Sequence, residues 1–126
     1  MKPDHTPATI GMDGLRAALG LAHLLAPTMI AGRVVRGRLG PGAQLAVRAL
    51  GVRQLGQALL TSACPTPAVL RLGGAADLLH AATMAGLALR GGRWRGAAAG
   101  EAALALGLAG LGLLEAQEPR AVASHA

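Results

Sequence analysis

Five side chains able to do chemistry sit in the middle of apolar stretches, where a polar group is costly unless something answers it. Arg53 and Gln57 lie one helical turn apart, Asp77 and His80 are spaced i, i+3, and His23 stands alone in an earlier run. Each spacing puts its pair on one helix face. Arg53 and Asp77 are each twelve residues from Pro65, in the short turn between their segments, so an antiparallel hairpin brings base and acid to the same depth. With the two imidazoles they would form an Arg53, Gln57, Asp77, His80, His23 cluster. Such a cluster suits a proton relay, an ion path or the floor of a small-ligand pocket. It equally suits a structural ion pair that fixes helix register.

Other chemistries are poorly served. Asp77-x-x-His80 is half of a carboxylate–histidine ligand set, and a second copy with two further Glu is absent from the sequence. No metal or cofactor is therefore expected. Cys64 is the single cysteine, sits in the turn away from both helical histidines, and has no partner for a disulfide or zinc site. No serine elbow or glycine-rich phosphate loop is present, so an enzyme is disfavoured. The net charge of +6 invites a nucleic-acid reading, but the arginines fall in loops between apolar runs and no nucleic-acid partner is expected.

Composition names the solvent. Of 126 residues, 52% are hydrophobic and 14% charged. A soluble domain carries about 25% charged residues, so there is too little charge here to coat a small globule. The expected partner is a lipid bilayer. Trp94 is the only aromatic residue, and Arg outnumbers Lys eleven to one amid abundant Ala and Gly, a bias that suggests high-GC bacterial coding.

The elements that must position the cluster are four helices, at about 15–35, 43–63, 68–89 and 97–114, between polar tails at 1–14 and 115–126. The expected fold is all-α: a four-transmembrane-helix bundle of antiparallel up-down topology. Matches at a shift of 55 residues, such as Leu15-Arg16 with Leu70-Arg71, raise the variant of two tandem helical hairpins. Arg16 reads as an interfacial anchor at the start of the first helix, and Pro27 as a kink inside it. Arg53, with about 15 Å of helix on either side, must face inward. Glu101 reads as the partner of a loop arginine.

Every second loop is basic. Arg33, Arg36 and Arg38 follow the first helix, and Arg90, Arg93 and Arg95 follow the third. The positive-inside rule makes these loops cytoplasmic and leaves both termini outside, in a multi-pass protein of the bacterial inner membrane. On the fourth helix Gly96, Gly100, Ala103, Gly107 and Gly110 form a stripe of small residues, a helix-packing face suited to another membrane helix or a second copy of the chain.

At Arg48-x-Leu50-Gly51-x-Arg53-x-x-x-Gln57 and Ala76-Asp77-Leu78-Leu79-His80-Ala81-x-Thr83-Met84 the chain resembles small four-span integral-membrane proteins of actinobacteria, a group without an assigned activity. The resemblance implies fold and location and no catalytic role. The expected function is a structural or accessory membrane subunit that acts through helix packing. The alternative is a small transporter or proton- or ion-conducting protein using the midplane cluster.

Overall fold

A computed structural model describes residues 7–29 and 38–117. Within them the chain is all-helical, with four long helices: α1 (Pro7–Leu25), α2 (Pro41–Ala63), α3 (Pro67–Leu89) and α4 (Arg95–Glu115). Three begin on proline, whose missing N–H costs nothing in a first turn and whose φ is already helical. Thr66 caps α3 by accepting a hydrogen bond from the Val69 amide at 3.2 Å. Gly91 and Gly92 turn the chain from α3 into α4 at φ of 78° and 81°, where a side chain would be strained.

The first helix departs from its expected bounds. It starts at Pro7, inside the presumed tail, and is interrupted after Leu25, one residue before the expected kink at Pro27. Proline disfavours helical backbone in the residue before it, and Ala26 is non-helical, with helix resuming over residues 27–29. Arg16 thereby moves from the helix start to its middle. Residues 30–35, and with them Arg33, lie outside the described residues, as do Arg36 and both chain ends at 1–6 and 118–126. Gln117 is described and exposed, while Ala116 is buried against α4's partners rather than being part of a polar tail.

α1 packs closely on α2, and α3 on α4, so the helices are organised as two hairpins. The hairpins approach each other much more loosely. In the first, Gly20 and Gly51 bring the backbones together: a Cβ on Gly51 would lie 2.7 Å from the Gly20 carbonyl oxygen, and one on Gly20 would lie 2.9 Å from that of Gly51. Backbone cannot yield as a side-chain tip can. Gly51→Val is accordingly expected to force α1 from α2, at a cost of about 1–3 kcal/mol in thermal unfolding in detergent. A stability equal to wild type would mean that the crossing is not tight.

The interior and exterior are chemically reversed. Asp77, Arg16, His23, Gln54 and Thr61 are buried, whereas Leu59, Leu72, Leu79 and Leu89 are exposed, the last to 89%. Water-soluble domains bury such leucines and leave Asp and Arg outside. α3 and α4 are each long and apolar enough to cross a membrane.

One end of the molecule is closed and the other open. Met12, Leu70, Leu108 and Ala116 make a small apolar cluster at the closed end, with Leu104 against it. Two hydrogen bonds lace the helices there: Thr9 Oγ1 donates to Glu115 Oε2 at 2.7 Å, and Ser62 Oγ donates to Asp13 Oδ2 at 2.9 Å. At the other end, where α1 and α3 finish and α2 and α4 begin, the hairpins part around a cavity.

Candidate ligand cavity and buried charge cluster

The gap between the hairpins is bridged by side chains rather than by backbone packing. Asp77 of α3 lies in the seam with no exposure to solvent. Its Oδ1 accepts a hydrogen bond from Arg53 Nη2 of α2, and its Oδ2 accepts one from Arg16 Nη2 of α1 at 2.5 Å. Arg16 Nη1 also donates to Gln57 Oε1 at 3.1 Å and Gln54 Oε1 at 3.3 Å, and Gln57 Nε2 donates across to the Gly73 carbonyl at 3.2 Å. One carboxylate thus anchors two guanidiniums from the other hairpin. Charge-assisted bonds of this kind are the strong ones, and their length lets three helices share a site that their backbones do not close.

Arg53 and Asp77 are in contact, yet not because α2 and α3 pack as a hairpin. Those helices touch only sparsely, and the reach of the Arg53 side chain makes the bond. Arg16 and Gln54 belong to the same cluster and were not expected there. Arg16 is only 2% exposed, and the interfacial role read from its place near an apolar run does not hold. The missed signal was Pro7, whose fitness for a first helical turn lengthens α1 and puts Arg16 in its middle.

One turn nearer the open end lies a second polar layer. Glu101 of α4 sits between His23 of α1 and His80 of α3: His23 Nε2 is 3.5 Å from Oε1, and His80 Nε2 is 3.6 Å from Oε2. His23 Nδ1 lies 2.6 Å from the Leu19 carbonyl oxygen. A carbonyl only accepts, so Nδ1 carries a proton and Nε2 is the nitrogen left to gain or lose one toward Glu101. Among the described residues Glu101 pairs with these rings and with no loop arginine. Among the described residues no group of three His, Cys, Asp or Glu is arranged to hold a metal ion.

His23, His80 and Glu101 form the polar floor of a cavity of about 600 Å³. Its walls are otherwise apolar: Ala43, Val47 and Leu50 of α2, Met84 and Leu87 of α3, Ala97 and Leu104 of α4, and the Trp94 ring at the start of α4. Arg93 lies over that ring, 5.1 Å from its centroid. Arg38, Arg90, Arg93 and Arg95 are exposed at this same end of the molecule.

The small-residue stripe is divided: Gly96 and Gly100 line the cavity, and Ala103, Gly107 and Gly110 do not. Gly96, Gly100, Ala103, Gly107 and Gly110 are exposed, and the buried face of α4 is Ala98, Ala102, Ala105, Leu108, Ala109 and Gly112. Ala and Gly are so frequent in α4 that two faces are small enough to pack. Glu101 shares its face with Ala105, Leu108 and Gly112, and turning that acid toward the histidines fixes the rotation of the helix.

The chain matches no family model, no curated protein and no solved structure. The resemblance to actinobacterial four-span proteins gains no support from these comparisons and carries nothing below.

Proposed function

We propose that this is a multi-pass membrane protein that binds a small ligand between its hairpins and moves it, or protons, through the His23–Glu101–His80 layer. The carrying observation is a largely apolar cavity floored by a carboxylate between two imidazoles. Ligand sites elsewhere have this character, with mostly hydrophobic walls of about 300–1,000 Å³ and a few convergent polar groups. Intramembrane ionisable groups are expensive, and in transporters they line the path of ions and protons. Four spans with polar seams and leucine outside fit a lipid solvent, and two of the helices have the length and apolarity it demands. In this reading the basic loops and the cavity mouth are cytoplasmic and the termini lie outside.

Reconstitution tests it. Vesicles holding the purified chain should collapse an imposed pH gradient or accumulate ligand in a pH-dependent way, and Glu101→Gln should lower that flux by at least about tenfold, the effect typical of losing one proton-transfer group or more. Absence of flux in the wild type would defeat the transport reading, and unchanged flux in the variant would remove Glu101 from the path.

A second reading rests on the outward stripe. Ala103, Gly107 and Gly110, exposed and outside the cavity lining, offer a small-residue surface that suits an accessory subunit or homo-oligomer. Native mass in mild detergent decides this one: an oligomer that Gly107→Leu reduces to monomer supports it, and a monomeric wild type removes it.

A further inference from the structure

We infer that the cavity takes a hydrophobic monocation, an organic ammonium or phosphonium ion seated against Glu101 in place of a proton held at His23 or His80. This rests on the ligand-cavity reading above and adds the charge and class of the ligand. Glu101 is the sole permanently chargeable group among the lining residues other than the two histidines. From α1 it faces His23, from α3 His80, and from α2 the cavity receives only Ala43, Ala46, Val47 and Leu50. The nearest guanidiniums are already held: Arg16 and Arg53 lie one turn deeper on Asp77, and Arg93 covers Trp94. An anion entering this space would meet a carboxylate between apolar walls, a costly burial. A cation finds a counter-ion and an apolar surround that fits its hydrocarbon.

The exchange balances in charge. With His23 protonated at Nε2, the incoming cation takes its place on Glu101, the Nε2 proton leaves to solvent, and Nδ1 keeps its own proton on the Leu19 carbonyl. His80 Nε2, buried and 3.6 Å from Glu101 Oε2, is the alternative place from which that one proton leaves. Cation and proton therefore compete, and binding weakens as pH falls and the imidazoles gain protons.

Trp94, the chain's single aromatic residue, lines the cavity and reports its occupancy by fluorescence. The test titrates the purified full chain in mild detergent with three ligands of similar size: tetraphenylphosphonium, neutral triphenylphosphine oxide and tetraphenylborate. Saturable phosphonium binding is expected, at least about tenfold tighter at about pH 8 than at about pH 5.5, with proton release on binding. Glu101→Gln should weaken phosphonium at least about tenfold and leave the neutral oxide unchanged, while Glu101→Asp, which keeps the charge, should retain phosphonium binding. If Glu101→Gln does not fold, the wild type's ranking of the three ligands and its pH dependence decide. Borate binding as tightly as phosphonium, or phosphonium binding indifferent to pH, overturns the cation and leaves the cavity reading standing. No saturable binding of any of the three overturns both.

Discussion

Asp77→Leu is expected to destabilise the protein by about 3–5 kcal/mol, the cost of breaking a buried ion pair from one side. Folding stabilities run to about 5–15 kcal/mol in total, so this one change removes a large part of it. The reason is the geometry of the seam. Asp77 is the single acceptor on which Arg16 and Arg53 converge, and leucine would leave both guanidiniums facing each other across a gap closed only by Gln54 and Gln57. Asp77→Asn should cost less, because an amide oxygen still accepts one bond while its charge is gone. Thermal unfolding in detergent reads the difference. A loss below about 1 kcal/mol for Asp77→Leu, the worth of an exposed pair, would mean that water or lipid headgroups already answer the two arginines.

Much of this site was legible in the sequence, and the part that was not has definite causes. Asp77 and His80 were readable as one face of α3, because helical period is a local property, and that face does line the seam and the cavity. The contact of Arg53 with Asp77 followed from matched depth, although the close hairpin assumed between α2 and α3 is not the packing the chain adopts. Two further members were misread for one reason. Arg16 and Glu101 each lie near an end of an apolar run, and polar residues there are usually at an interface. Arg16 was displaced inward by a helix start at Pro7, and Glu101 by the rotation of α4. Rotation was the hardest property to read. In a helix made largely of Ala and Gly, apolar periodicity points nowhere, and a single acid decides which face turns in.

The partition of roles between the layers also follows from burial. The Arg16–Asp77–Arg53 layer is joined by short charged bonds and lies between the cavity floor and the closed end. Its charges fix one hairpin against the other. The His23–Glu101–His80 layer is longer in its contacts, borders the cavity and holds two imidazoles against one carboxylate. Short charged bonds hold position, and longer contacts beside a cavity are free to exchange. Mutations in the first layer should therefore appear as lost stability, and those in the second as altered binding or flux in a folded protein.

Arg16→Met is expected to cost more than Arg53→Met, by about 1.5–3 kcal/mol, the worth of a hydrogen bond to a charged group. The two arginines share an acceptor but not a situation. Arg16 is almost wholly buried and binds Gln54 and Gln57 as well as both oxygens of Asp77, tying α1 to α2 and α3 at once. The Arg53 side chain is 26% exposed and contributes its bond to Asp77 from one side. Without Arg53, Asp77 keeps Arg16 as its counter-ion. Without Arg16 it keeps one bond, while two glutamine oxygens lose their donor inside the seam. Methionine matches the length of the arginine stem, so lost packing contributes little to either change. Double-mutant cycles with Asp77→Leu separate the pairs: coupling should exceed about 0.5 kcal/mol for both, and be larger for Arg16. If Arg53→Met proves as damaging as Arg16→Met, the seam is held from the α2–α3 side, and Arg16 is a passenger in a site that Arg53 and Asp77 build alone.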